Sequence, residues 1–560
     1  MANVILSRLS AELLAEHYRS GYWKDETLYA VLRRHAQRSP DRFALRDRLR
    51  RLTFGELLTV VDAVAIDLAS RGLRTGQRVA IWLPSRVEAV IAMLASSRNG
   101  YVFCPSFHRD HTCADVIALL RRTRAAALFG EAGYGAGGAR EDIFAQTSDL
   151  PDLRHAYRLP PLAAGDTSLN PFAGLLDAST RTSPIDAACQ NPNRVSYLGF
   201  TSGTTGQPKG VMHTDNTLLA NARAVVTDWN LTADSVVYTL SPLSHNLGVG
   251  SFVTALLAGA ELVVHDLPRG QSLLARLAEV GATYLVGVPT HAIDLLAEVR
   301  SKPGSSLAAV KGFRISGAAV PKDVVTELMQ YGATPQSGYG TTETCSHHYT
   351  LPHDDPQLIA ETSGRACAGV ETRIWRQDNP DAEAEPGAIG QIGCRGASLM
   401  LGYFDDQATT EDSFNASGWY MTGDLGCLDS AGYLRVTGRA KDLIIRGGHN
   451  IHPARIEALA MRHAAIERAA AFPVADSRLG EKVCLAVMFR AGRQASAQDI
   501  LAHLDAVGLS RYDMPEYFLQ LDQLPLTSSG KTLKRELVTL VQEGRLQPTS
   551  VRWEAKRIEK

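Results

Sequence analysis

The 560-residue sequence has no surplus of either charge: 58 lysines and arginines stand against 59 aspartates and glutamates. An electrostatic nucleic-acid binder needs a basic excess, so that class is excluded. There is no C-x-x-C pair. The eight cysteines, at 104, 113, 189, 345, 367, 394, 427 and 484, are scattered along the chain. That pattern excludes a disulfide frame or zinc ribbon and fits reduced thiols in the cytoplasmic compartment. There is no long apolar run: the most apolar stretch, residues 247–260, carries three glycines and ends at Glu261. It falls short of the roughly 18 residues a membrane span requires and reads as a buried helix. Residues 1–22 mix Arg8, Glu12, Glu16, His17 and Arg19 among the leucines, so they lack the apolar segment of a secretory signal. No fixed-period repeat or long low-complexity tract is present, which excludes solenoids and separate disordered domains.

What is present is globular. Hydrophobic residues make up 45% and charged residues 21%, and a chain this long is expected to hold two to four domains. From residue 28 to 264, short apolar runs alternate with amphipathic stretches, as in 79–83 followed by 86–97, the signature of α/β architecture. The rhythm continues through 283–288 and 313–315, then a helix over 322–330 opened by Pro321. Residues 133–138, 159–184 and 378–386 have loop composition. The pattern predicts a large N-terminal domain of stacked mixed sheets flanked by helices, residues 1–438. After Arg439 it changes to helix 452–462, strand 469–474, strand 482–489 and helix 497–506, a small α+β domain of residues 443–560. A last helix, 532–543, follows Gly530 and Lys531 in an exposed loop.

The most informative segment is YLGFTSGTTGQPKG at 197–210, where an apolar strand runs into hydroxyls, glycines and one lysine. Such a loop suits phosphate: glycines let backbone N–H groups converge on anionic oxygens, Thr201, Ser202, Thr204 and Thr205 add donors beside Gly203, and Lys209 adds a mobile charge. A flexible surface turn has the same composition. The loop is not a Walker A motif, because Pro208 stands where the second glycine belongs. PLTSSGKT at 525–532 misses that motif by its first residue, and GYGTTE at 338–343 ends in glutamate where a dinucleotide fingerprint has glycine. HExxH, GxSxG and EF-hand patterns are absent. His347, His348 and His353 lack metal-ligand spacing and read as surface or pocket residues.

Five segments in order resemble the core motifs of the AMP-forming adenylating enzymes, the acyl-CoA synthetase superfamily: TSGTTGQPKG at 201–210, YGTTET at 339–344, GWYMTGD at 418–424, GRAKDLIIRGGHNIHPARIE at 438–457 and PLTSSGK at 525–531. The resemblance implies ATP, Mg²⁺ and CoA as reactants and cofactors. A carboxylate is a poor acyl electrophile; attack on the α-phosphorus of ATP makes it a mixed anhydride with AMP as leaving group, which is mostly a task of charge management. By the resemblance, Thr201, Ser202, Gly203, Thr204, Thr205 and Lys209 hold the β- and γ-phosphates and Glu343 binds Mg²⁺. Gln336, Ser337, Gly338, Tyr339, Gly340, Thr341 and Thr342 border the nucleotide, with Tyr339 near adenine, although Tyr339 would equally serve as a core aromatic. Asp424 accepts from the ribose hydroxyls and Arg439 assists near ribose and phosphate. Lys531 stabilises charge at the α-phosphate, and Lys531, Thr204, Glu343 and His245 form the catalytic set.

The resemblance further implies a mobile C-terminal domain turning on a hinge at 439–442, centred on Lys441. Gly447, Gly448 and His449 would line the entry for CoA, where side chains obstruct. His449 departs from the expected glutamate or tyrosine. SPLSHNLGVG at 241–250 is similar to the family's P-L-x-H motif and puts His245, Asn246, Val249, Gly317, Gly338 and Cys345 around the acyl group. A core histidine would also account for His245. The expected function is an AMP-forming carboxylate–CoA ligase acting on an aromatic, alicyclic or medium-chain acid. Two alternatives stay open: a stand-alone adenylating enzyme loading a carrier-protein phosphopantetheine, and a catalytically idle acyl or nucleotide binding protein. The expected partners are the acid, ATP and CoA, with a carrier protein and a second copy of the chain as further candidates, and neither nucleic acid nor a membrane span.

Overall fold

The structure, a computed structural model, describes residues 9–136, 141–162, 168, 171–172, 174–176, 187–201, 208–268, 270–317, 320–447, 449–526 and 532–553. The expected α/β rhythm forms two large sheets. One has nine strands in the order Arg365–Ala366, Cys345–Tyr349, Pro335–Thr341, Gly312–Ile315, Tyr284–Gly287, Val236–Thr239, Glu261–Val264, Phe43–Arg46 and Arg51–Thr53. The six strands from Pro335–Thr341 to Phe43–Arg46 are parallel, and the edges are antiparallel. The other has seven strands in the order Gly402–Tyr403, Lys209–Thr214, Val195–Thr201, Val102–Cys104, Arg78–Trp82, Ala125–Glu131 and His155–Leu159.

Parallel strands are covered on both faces, which is why their sequences read as apolar runs. One core draws Leu45 and Val264 from the first sheet, Val79 and Tyr197 from the second, and residues of helices Phe54–Ser70, Val87–Asn99 and Asn246–Ala258. Thr53 starts the first of these helices through a capping box with Glu56, and Gly100 ends the second in the left-handed region at φ 73°. The apolar stretch at 247–260 is the third, buried as expected. Among the described residues no helix is long and apolar enough to cross a membrane.

The chain forms two compact units, Met1–Thr372 with Cys394–Tyr420, and Arg373–Gly393 with Met421–Lys560. This division differs from the expected boundaries at 438 and 443. Strand Tyr420–Leu428 pairs with Leu434–Arg439, and Thr422 Oγ1 donates to the Ile392 carbonyl at 2.9 Å, so residues 421–438 count with 373–393. The second unit also holds a six-stranded sheet built on the antiparallel pair Ile466–Asp476 and Gly480–Phe489, with helices Pro453–Ala460, Ala497–Ala506 and Lys534–Gln542.

A buried charge network stands at the start of helix Val87–Asn99. Arg50 bonds Asp47 at 2.7 Å and Glu88 at 2.6 Å, and Arg86 bonds Glu88 at 2.6 Å and Glu131 at 2.5 Å. Each member takes charge from a neighbour, so the cost of burial is offset only while the set is complete. Glu88→Ala leaves two arginines facing one carboxylate fewer. It is expected to lower unfolding free energy by about 3–5 kcal/mol, measured by urea denaturation; a loss below about 1 kcal/mol would show the network to be solvated.

Candidate active site

Strands Val195–Thr201 and Lys209–Thr214 pair antiparallel with Thr201 opposite Lys209, so the hairpin register fixes the two ends of the donor-rich loop. Ser202, Gly203, Thr204 and Thr205 lie outside the described residues. Lys209 Nζ stands 4.7 Å from the centroid of the Tyr403 ring, a cation–π distance. Tyr403 sits on the short strand Gly402–Tyr403, which pairs with Lys209–Thr214. Its hydroxyl donates to Glu343 Oε1 at 2.9 Å. With that proton committed, Tyr403 accepts from the Tyr420 hydroxyl at 3.3 Å. Burial first, and the Glu343 charge second, push both phenols up, so both remain donors. Glu343 is 8% exposed, and among the described residues its carboxylate meets a phenol with no cation in an ion pair. One carboxylate without a resident cation fits Mg²⁺, which takes one or two protein carboxylates and completes its shell with phosphate and water. Among the described residues no group of three or more His, Cys, Asp or Glu could hold a metal on its own.

The turn carrying Glu343 joins strands Pro335–Thr341 and Cys345–Tyr349, with Thr341 opposite Cys345. A Cβ at Gly340 would lie 2.0 Å from the Cys345 carbonyl oxygen, so only glycine fits there. Thr341 N–H donates to Thr344 Oγ1 at 3.1 Å, and Met400 N–H to the Glu343 carbonyl at 2.7 Å. His213, fully buried, reaches the Thr342 carbonyl from Nε2 at 2.7 Å and Thr217 from Nδ1 at 3.0 Å. Strand alternation divides the expected nucleotide wall. Gln336 is buried and accepts from the Tyr284 hydroxyl, Ser337 Oγ donates to the Ile359 carbonyl at 2.7 Å, and Tyr339 packs edge-on to His347 at 5.3 Å. His347 and His348 are fully buried, because their strand has neighbours on both sides of the nine-stranded sheet, while His353 is exposed. Of the two alternatives expected, surface or pocket, the surface one holds for His353 and not for His347 or His348.

Beside this turn lies a small cavity of about 20 Å³ free space, room for about one water, partly open to solvent and lined by Leu218, Asn221, Ala222, Asn246, Leu247, Gly250, Val253, Arg314, Cys345 and Ser346. Of the six residues expected around the acyl group, Asn246 and Cys345 line it. Cys345 adopts the left-handed φ of 56°, rare for a residue with a side chain, and burial pushes its thiol up to about 12. Val249 is fully buried in the core. His245 precedes helix Asn246–Ala258 and stacks on His108 at 4.2 Å. Desolvation, then His245, holds His108 down at about 3. Gly317 follows strand Gly312–Ile315 with φ 94°, and Gly338 lies opposite Tyr349.

In the second unit Asp424 is 7% exposed and pairs with Arg439 across neighbouring strands at 3.2 Å. Lys441 lies in the short helical turn Ala440–Asp442 directly after Arg439. Arg446 opposes His449 across a two-residue connection, Gly447 there having φ 59°, and His449 Nε2 contacts Asp513 Oδ1 at 2.8 Å. Gly448 and Lys531 lie outside the described residues; Leu526 and Thr532 pair in an antiparallel bridge. The sequence reading assigned no role to Tyr403, Tyr420, His213 or Arg314. Tyr420 lies inside the GWYMTGD segment, and its neighbourhood was the one available signal; Tyr403, His213 and Arg314 lie outside the five motifs, His213 three residues beyond the end of the first.

The AMP-binding enzyme family matches residues 32–404, and the AMP-binding enzyme C-terminal domain matches 455–531. The chain is 32% identical over 524 residues to a medium-chain fatty-acid–CoA ligase of Escherichia coli K12, covering 93% of this chain and 91% of that protein. It is 32% identical over 525 residues to a methyl-dioxo-octahydroindenyl-propanoyl:CoA ligase of Rhodococcus jostii RHA1, covering 91% of this chain and 98% of that one. Among solved structures, ATP-bound MatB from Rhodopseudomonas palustris aligns with TM-score 0.80 at 25% identity, covering 93% of this chain and 100% of that one.

His213 gives a pH test of the turn. Burial holds its imidazole down at about 4 against an ordinary 6.5, so the folded chain keeps it neutral while the unfolded chain takes a proton below 6.5. Its contribution is complete above pH 6.5 and shrinks as pH falls toward 4. The stability difference between the wild type and His213→Gln is expected to narrow by about 2–3 kcal/mol from pH 7 to pH 4.5, measured by urea unfolding at each pH. A constant difference would show that His213 takes a proton as readily in the fold as in the unfolded chain.

Proposed function

Because the chain belongs to the AMP-binding enzyme family, we propose that it is an AMP-forming carboxylate–CoA ligase. The observation that carries this reading is the placement of Lys209 and Glu343 on one tyrosine, the ammonium over its ring and the carboxylate on its hydroxyl. A cation for phosphate and a carboxylate for a hard metal ion, held by one rigid side chain, suit a nucleoside triphosphate. Glu343 would hold Mg²⁺, which when bound supplies Lewis-acid charge to phosphoryl oxygens.

In this reading the substrate carboxylate attacks the α-phosphorus of ATP and pyrophosphate leaves. Thr201, Ser202, Gly203, Thr204, Thr205 and Lys209 hold the departing phosphates. Tyr339 and the 336–342 strand border adenine. Asp424 accepts from the ribose hydroxyls, and Arg439, its ion-pair partner, stays within reach of the same groups. Lys531 offsets charge developing at the α-phosphate, and His245 stands at the acyl entrance. The thiol of CoA then attacks the acyl carbon and AMP leaves. Lys441 is assigned as the hinge between the two steps, and Gly447, Gly448 and His449, the last braced by Asp513, as the passage for the pantetheine arm. The printed names of the two relatives support an acid of medium chain length or alicyclic skeleton. The free state of all eight cysteines supports a cytosolic setting.

The test is a panel of carboxylic acids with ATP and Mg²⁺, following pyrophosphate and AMP with and without CoA and identifying products by mass. An acyl-CoA product is expected. Adenylate without CoA turnover would replace the reading with carrier-protein loading, and no adenylation across the panel would replace it with a binding protein. Lys531→Ala is expected to slow adenylation about 10²- to 10³-fold with ATP affinity retained; unchanged adenylation would remove Lys531 from the mechanism.

A further inference from the structure

Helix Cys113–Thr123 ends beside the hairpin that carries the donor-rich loop, and two arginines at that end reach the hairpin. The Arg122 guanidinium donates to the carbonyl of Pro208, the residue directly before Lys209. The same group lies over the Phe200 ring, 5.6 Å from its centroid. Phe200 stands opposite Gly210, one step along the hairpin from the pair Thr201 and Lys209. Arg124 lies over the Phe404 ring at 5.9 Å, and Phe404 N–H donates to the Gly210 carbonyl at 2.6 Å. A Cβ at Gly210 would stand 3.1 Å from Phe200 Cε1 and from Phe404 Cβ. Glycine there gives both rings, and so both arginines, their places on the strand.

The fold makes no other use of these charges. Arg124 closes the helix in the left-handed region at φ 49°, a position where glycine is free of strain and a long side chain is not. The helix's last carbonyls, those of Thr123 and Arg124, are met by a different residue, Arg78. Among the described residues no carboxylate pairs with Arg122, Arg124 or Lys209. That is uncommon in a chain whose charges balance, where Arg50, Arg51, Arg71 and Arg98 each hold an acidic partner. Three cations without a counter-charge on one hairpin make a positive field that an anion completes.

We infer that Arg122 is a positioning residue for the polyphosphate end of the nucleotide. Through the Pro208 carbonyl it fixes where the donor-rich loop rejoins its strand, and so where Lys209 presents its charge, while Arg124 adds to the field at the same hairpin. This rests on the ligase reading above and adds to it two residues outside all five motifs. AMP lacks the β- and γ-phosphates, so the effect belongs to ATP and pyrophosphate.

The test is calorimetric binding of ATP, pyrophosphate and AMP, each with Mg²⁺, to the full-length protein. Arg122→Met, which keeps the apolar stem over Phe200, is expected to weaken ATP and pyrophosphate about tenfold, the worth of one hydrogen bond from a charged donor, and to leave AMP within about twofold. Arg122→Lys, with a donor and a charge, is expected to recover most of the loss. Arg124→Ala is expected to weaken ATP about threefold at low salt and less in about 0.5 M salt, where the field is screened. An unchanged ATP affinity in folded Arg122→Met, or an equal loss for AMP, overturns the inference. Where Arg122→Met fails to fold, an unchanged ATP affinity in Arg124→Ala overturns it. Adenylation of a carboxylic acid panel separates the two failures. ATP bound without adenylation refutes the ligase reading and leaves Arg122 to the comparison of ATP with AMP; adenylation with that comparison flat refutes the role of Arg122 alone; a wild type that binds no ATP refutes both.

Discussion

The backbone from Thr341 to Cys345 reverses so closely that a side-chain carbon at Gly340 would meet the Cys345 carbonyl oxygen, and the site is arranged around that reversal. On one side the turn directs Glu343 to the Tyr403 hydroxyl, and on the other it puts Cys345 and Ser346 into the cavity wall. Turns of this tightness are held by their surroundings. Here the surroundings are specific: His213 on the Thr342 carbonyl, Met400 N–H on the Glu343 carbonyl and Ser398 Oγ on the Thr344 carbonyl. Each is a neutral donor to a carbonyl in a dry interior, where such bonds gain strength from the low dielectric. The proposed metal carboxylate and the cavity wall at Cys345 and Ser346 are therefore positioned by one hairpin.

How far this was legible in the sequence depends on whether a residue's partners are near it along the chain. Helix 322–330 was readable because its signal, Pro321, adjoins the element it starts. The loop ending in Lys209 and the segment carrying Glu343 were readable as motifs because glycines, hydroxyls and charge crowd into a few residues. Tyr403 was not. It acts through a strand pairing with Lys209–Thr214 and a hydrogen bond to a residue 60 positions away, and neither has a local signature. For His347 and His348 the choice between surface and pocket stayed open for a related reason: two adjacent histidines look polar in sequence, and their full burial follows from what packs on their strand, which has no local signature. The domain boundary likewise follows strand pairing, since residues 421–438 are held to 373–393 by hydrogen bonds the sequence does not announce.

The same distinction separates reaction from specificity. The proposed chemistry resides in motifs, because phosphate, ribose and a metal ion would demand fixed donors at short spacing. The cavity beside the turn draws its lining from four stretches of the chain, around residues 218–222, 246–253, 314 and 345–346, and no single stretch states what it binds. Buried charge is handled in two ways. Around Arg50 and Arg86 every buried charge finds its complement within the fold, and the result is stability. Arg314, buried to a similar degree, has no carboxylate partner among the described residues and is met by neutral groups, the Ser346 carbonyl, the Tyr284 hydroxyl and the face of the Tyr349 ring.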